Sequence, residues 1–207
     1  MTEPRLYRGL SMQDRRRERR RRFLDSAIEL FGTQGYAVTS VAAVCRHAVL
    51  SSRQFYEEFN DREHLLRTVY DQTEDAASAA VVAAVQAAFT DDSSLDAVLD
   101  AGVGAFIDYF SADPRLTRIC FIEAVGVSPE FEEHRATRRS QWGESLAAIA
   151  DTGIERGVLS GGVDALLWTG FIGAVNAVIV EQMNSPDLTA EDTLRVMRAM
   201  LRRGVLG

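Results

Sequence analysis

Apolar residues recur at three- and four-residue spacing along nearly the whole chain, while segments alternating at every second position are missing, so the pattern predicts an all-α fold of about nine helices. The first helix covers about Arg15 to Gln34, with Phe23, Leu24, Ala27, Ile28 and Phe31 on one stripe and Gly35 as its stop. A second opens at Thr39 or Ser40 and turns Val41, Val44, Cys45 and Ala48 inward. Ser51-x-x-Gln54 is a capping box that starts a third, whose buried face is Phe55 and Phe59. Asp61 caps a long fourth helix running through Leu65, Leu66 and Val69 to about Phe89, and the polar stretch Thr90–Ser94 breaks the pattern. Five further helices come next, at about 94–112, 115–127, 129–156, 164–184 and from Thr189, punctuated by Pro114, Pro129, Gly157 and Pro186. This divides the chain into a disordered arm (1–14), a small helical head (15–67) and a larger helical body (68–207).

Hydrophobic residues make up 46% of the 207 positions and charged residues 26%, a balance that excludes a disordered chain. The longest apolar runs, Ala76–Phe89 and Trp168–Val180, have 14 and 13 residues, short of the roughly 20 needed to span a bilayer. No apolar run follows the Arg-rich N-terminus, as a secretory signal would require. The expectation is a soluble, cytoplasmic protein with no membrane partner. The net charge of −7 is unevenly spread: residues 1–67 hold 13 Arg against 9 acids, and the rest 10 Arg against 21. A basic head on an acidic body points to a polyanion as the head's partner. Arg15–Arg22 places seven Arg in eight positions, either a solvated helix start or a phosphate-contacting arm.

The second and third helices, joined by a turn at His47–Leu50, fit a helix-turn-helix. In that geometry the second helix of the pair enters the major groove and its N-terminal residues, here Ser51, Ser52, Arg53 and Gln54, reach base edges. Arg pairs bidentately with guanine and Gln with adenine. Glu57 and Glu58 must then point away from DNA.

From about Arg19 to Tyr70 the chain resembles the N-terminal domain of the TetR family of bacterial transcriptional regulators. The likeness is carried by Phe23-Leu24-Asp25-Ser26-Ala27-Ile28-Glu29-Leu30-Phe31, Gly35-Tyr36, Thr39-Ser40-Val41, Phe55-Tyr56-Glu57-Glu58-Phe59 and Asp61-Arg62-Glu63-His64-Leu65-Leu66. The resemblance implies phosphate contacts from Thr39, Ser40 and Arg62, with Tyr56 leaning on the DNA backbone. Arg19 and Arg22 of the arginine block join them as DNA-binding candidates. Val49 stands where the family usually has Gly, which predicts an altered turn, since a β-branched residue suits positive φ poorly. Ser52 replaces a frequent basic residue. The resemblance further implies a homodimer on a palindromic double-stranded DNA operator, an unknown small-molecule effector and, most often, repression.

In the body, Gly170, Gly173, Ala174, Ala177 and Glu181 fall on one face of an apolar helix, suited either to dimerisation or to packing within the chain. Phe106, Tyr109, Phe110, Phe121, Trp142, Trp168 and Phe171 are candidates for a ligand cavity or for plain core. Glu123 and Asn176 are the polar exceptions in apolar surroundings; Glu123 would suit a cationic or hydrogen-bonding amphiphile, or else pair with Arg118. The three histidines and two cysteines form no metal-binding spacing, and no phosphate loop or nucleophile elbow occurs, so neither an enzyme nor a cofactor is expected. The competing class is a helical small-molecule-binding or scaffolding protein without DNA readout.

Overall fold

Helix starts in this chain are set by side-chain caps. In the computed structural model, which describes residues 11–90, 94–185 and 187–206, each of nine α-helices begins at a Ser, Thr or Asp whose oxygen accepts a backbone N–H two or three residues on. They are α1 (Met12–Thr33), α2 (Val41–Ala48), α3 (Ser52–Tyr56), α4 (Arg62–Ala88), α5 (Leu95–Ala112), α6 (Pro114–Arg118), α7 (Pro129–Glu155), α8 (Ala165–Asn184) and α9 (Ala190–Met200). No strand occurs among the described residues. Helix α1 starts earlier than the apolar pattern predicts, because Ser11 and Asp14 form a reciprocal capping box. Met12 to Asp14 therefore belong to the helix and not to an arm. The remaining expectation of a disordered arm falls on residues 1–10, outside the described residues.

The head is built on aromatic contacts. Phe23 meets Phe55 edge-on at 5.4 Å and Phe59 at 6.1 Å, and all three rings are fully or almost fully buried. This core does not stop at the head: it continues through Leu66, Val69 and Tyr70 of α4 to Phe110, Ile119, Cys120 and Phe131. Helix α4 belongs to both parts, so head and body share one uninterrupted helix and one apolar cluster.

One predicted helix splits. The apolar pattern predicts a single helix over 115–127, but α6 widens after Arg118 into a π-helical turn, Ile119–Glu123, which closes with Ala124 N–H donating to the Ile119 carbonyl at 2.9 Å. The extra residue in the turn shifts the register of Glu123 and the residues after it. Helix α6 also lies very close to α1: a Cβ on Gly32 would come within 2.8 Å of the Arg115 Cα, so this crossing requires glycine. In the body, α5 packs between α4 and α9, and α8 packs on α7 and α9.

Candidate nucleic-acid interface and ligand cavity

Helix α3 is held from below by Phe55 and presents its other faces to solvent. Ser51, Ser52 and Arg53 are exposed, and the Arg53 side chain is 90% exposed, tethered to Glu57 at 3.3 Å. An ion pair this open contributes at most about 1 kcal/mol, so it yields readily to a base edge. Tyr56 is 60% exposed and stands edge-on to Phe55. Gln54 is already engaged: its Oε1 accepts from the Ser51 N–H at 2.9 Å and the Ser51 hydroxyl at 3.1 Å. Bidentate pairing by Gln54 would forfeit that cap, so Arg53 is the more available donor of the two.

The turn before α3 keeps the geometry that Val49 was expected to alter. Val49 lies in the left-handed region, φ 53° and ψ 47°, and its N–H still bonds the Arg46 carbonyl at 3.2 Å. The chain thus accepts backbone strain at a 77% exposed position beside α3.

Several residues assigned to phosphate are tied up within the head. Thr39 is buried, and its hydroxyl donates to the Gly35 carbonyl at 2.7 Å. Arg62 donates to the carbonyls of Tyr36 at 3.1 Å and Thr39 at 2.7 Å, and stacks over the Tyr36 ring at 4.1 Å. Arg22 donates to the carbonyls of Ala48 and Val49, closing the end of α2. Arg19 lies 3.4 Å from Glu58 and 3.7 Å from Glu57. Ser40, by contrast, is exposed and caps α2. Glu58 points away from the exposed face of α3, as the docking argument requires, and for a reason internal to the head. Its side chain is 1% exposed and pairs with Arg16 at 3.2 Å as well as Arg19, while Arg20 donates to its backbone carbonyl at 3.1 Å. Part of the arginine block is therefore structural, fastening α1 to the end of α3.

Between α4, α5, α7, α8 and α9 the body holds a mainly apolar cavity, part of it open to solvent. Phe106, Phe121, Trp142, Trp168, Phe171 and Asn176 line it, among the residues proposed from sequence. Tyr109, Phe110 and Glu123 do not. Phe110 is buried in the cluster joining head to body, with Tyr109 packed against that cluster. Glu123 is carried by the π-helical turn to the head side. There it accepts from the Tyr36 N–H at 2.7 Å and from Arg118 Nε at 2.9 Å, close against Gly35, whose φ of +105° suits glycine. Arg118 also donates to the Thr33 carbonyl at 3.1 Å. Arg118 is thus the partner of Glu123, and the argument for a cationic ligand falls.

The acid that does line the cavity is Glu74, with Tyr70, Cys120, Arg135 and Arg139 around the same end. Burial pushes the Glu74 carboxyl upward, although the Trp142 indole N–H donates to it at 2.5 Å. Burial likewise pushes up the Cys120 thiol, with Glu74 adding to the effect, so this cysteine is an inert core group. These polar liners were legible in principle. Glu74 lies four residues after Tyr70 on the inward stripe of α4, and Arg135, Arg139, Trp142 and Leu146 follow one another on a stripe of α7.

Helix α8 buries only Trp168, Val175 and Ile179 within the chain. Gly170, Gly173, Ala177 and Glu181 are exposed, Ala174 is half-buried, Leu166 is 75% exposed, and nothing lies within 4 Å of a Cβ built on Gly170 or Gly173. At 20 residues and a mean hydropathy of 1.4 it is long and apolar enough to cross a membrane, unlike the shorter runs read from sequence. Only a narrow stripe of it, Trp168, Val175 and Ile179, is buried against the body.

Comparison with known proteins matches residues 23–69 to the bacterial regulatory proteins of the tetR family. No curated protein matches the chain. Among solved structures, the fatty acid degradation regulator FadR from Bacillus halodurans is similar at a TM-score of 0.77 and 16% identity, over 90% of this chain and 95% of its own. FadR from Bacillus subtilis, solved in complex with stearoyl-CoA, gives 0.76 at 16% identity, over 89% and 98%. The TetR-family regulator PfmR from Thermus thermophilus gives 0.59 at 27% identity, over 88% and 98%.

Proposed function

We propose that this chain, whose residues 23–69 match the tetR family of bacterial regulatory proteins, is a dimeric DNA-binding repressor whose operator is released when a small, elongated apolar molecule fills the body cavity. Two copies of α3 enter successive major grooves of a palindromic site, with Arg53 reading bases and Ser40, Ser51, Ser52 and Tyr56 facing the backbone. The dimer forms through the outward face of α8, because an apolar helix that covers so little of itself within one chain calls for a second copy. The similar B. subtilis protein holding stearoyl-CoA supports a long acyl chain as the kind of occupant the cavity suits.

The observation that carries this reading is the double role of residues 119–123. Cys120 and Phe121 face the cavity, while Glu123 of the same turn binds the first residue after Gly35 in the head. An occupant that displaces Phe121 must move this turn, and with it the hold on α1. The effector acts only to the extent that it binds the released state more tightly than the DNA-bound one.

Selection of bound duplexes from a random pool tests the proposal. The expected result is a two-fold symmetric sequence whose half-sites lie about 34–36 Å apart, or a multiple of that spacing. Recovery of no enriched sequence, with long-chain amphiphiles still bound, would support the binding protein without DNA readout instead.

A further inference from the structure

The charged groups that line the cavity gather at one end. Near the head it is bordered by Tyr70 and Glu74 of α4, Cys120 of the π-helical turn, and Arg135 and Arg139 of α7. Toward the other pole its walls are aliphatic and aromatic, as at Val85, Phe89, Val98, Ile149 and Val158. From Glu74 to Phe89, α4 rises about 22 Å, so the two ends are well separated. Arg135 and Arg139 are one turn apart on α7, a spacing of about 5–6 Å.

Two arginines at this wall have capacity to spare. Arg135 is 8% exposed, yet its buried Nε has no hydrogen-bond partner, the guanidinium being anchored through Nη1 to Glu132 at 2.9 Å. Arg139 forms no ion pair or hydrogen bond among the described residues, its charge reaching Glu132 only through space. Trp168 of α8 also lines the cavity with a buried, unpartnered indole N–H, but it packs with Ala150, Met197 and Leu201, away from the arginine pair. Buried donors left unpaired are costly and rare in native proteins. Of the groups at this end, Glu74 is the acid, and its carboxyl is engaged by Trp142.

Building on the ligand-responsive reading above, we propose that the cavity takes a long-chain amphiphile with an anionic headgroup, seated against Arg135 and Arg139, with its tail toward the Phe89 pole. This fixes the ligand's orientation: the charged end sits beside the part of α4 that runs into the head, and beside the turn that holds Glu123. A carboxylate and a phosphate-bearing thioester share the required charge.

The chain has two tryptophans and both line the cavity, so their emission reports occupancy directly. Palmitate, palmitoyl-CoA, hexadecanol and hexadecyltrimethylammonium are titrated into the full chain below their micelle or solubility limits. One or both anions should bind at least tenfold more tightly than hexadecanol, with the cation weakest; which anion prevails tells a carboxylate headgroup from a phosphate-bearing one. Arg139→Ala, at a half-exposed position that spares the buried Arg135, should bring anion and alcohol within about twofold of each other, and Arg139→Lys should restore the preference. Equal or tighter binding of hexadecanol or the cation, a preference that survives Arg139→Ala, or unchanged emission with all four probes would overturn the assignment. Operator release is scored separately. Palmitate bound with the tenfold preference but without release sinks the regulatory reading alone, whereas hexadecanol binding and releasing the operator as well as palmitate sinks the headgroup assignment alone.

Discussion

Val49→Gly should make this protein more stable. A left-handed backbone costs a side-chain-bearing residue about 1–2 kcal/mol, and valine carries it at φ 53°. Glycine removes that strain but returns about 0.4–1 kcal/mol to the unfolded chain as entropy. The valine is 77% exposed, so little burial is lost. The N–H bonds that close α2 involve only backbone and persist. The net gain is about 0.5–1 kcal/mol, which for a chain of this size raises Tm by about 1–4 °C. Denaturant unfolding at fixed protein concentration measures it, since the stability of the proposed dimer would depend on concentration. Val49→Ala keeps a Cβ in the same conformation and should gain less. An unchanged or lowered midpoint in Val49→Gly would refute the strain argument.

Arg62→Ala should cost about 1–2 kcal/mol of stability, because it removes charged hydrogen bonds to two loop carbonyls and the stacking on Tyr36; Arg53→Ala should leave stability within about 0.5 kcal/mol and instead relax sequence preference by about 1–3 kcal/mol at one base pair, so matched effects of the two on selectivity would contradict the assigned roles. Glu74 is raised by burial, so its neutral form favours the folded state: that contribution is complete below the ordinary carboxylate range and is lost as pH rises through the folded pKa. Glu74→Gln, still able to accept from Trp142, should therefore be more stable than the parent at pH 8, with the difference vanishing at pH 4, as followed by thermal unfolding across pH. Gly173→Glu meets open space in the single chain and should keep full helicity, but it should sediment as a monomer and bind its operator far more weakly.

The helices were legible because their signals are local. Ser51 and Gln54, Asp61, and Thr189 announce starts that the structure places within a residue or two. The head's core was equally plain, since Phe23, Phe31, Phe55 and Phe59 recur at helical spacing. What escaped were facts about who meets whom across the chain. A pattern along α6 cannot reveal a π-helical turn, so from sequence Glu123 stays open between a ligand and Arg118, and only the fold shows that it pairs with Arg118 and holds the Tyr36 N–H. Nor can an arginine run show which members are spent on Glu58, whose burial arises only when α1 and α3 pack together. Glu74 and Arg139 were missed for another reason: charged residues on an inward stripe read as interruptions of the apolar pattern, when here they mark the polar end of a cavity.

The central claim is that the exposed face of α3 meets double-stranded DNA, and its affinity for duplex DNA across a salt series tests this most directly. Fluorescence anisotropy should show log affinity falling linearly with log salt, with a slope of about −0.9 for each phosphate neutralised. Arg53→Ala should then narrow the gap between selected and random sequence. Binding that is undetectable even at low salt would contradict the account.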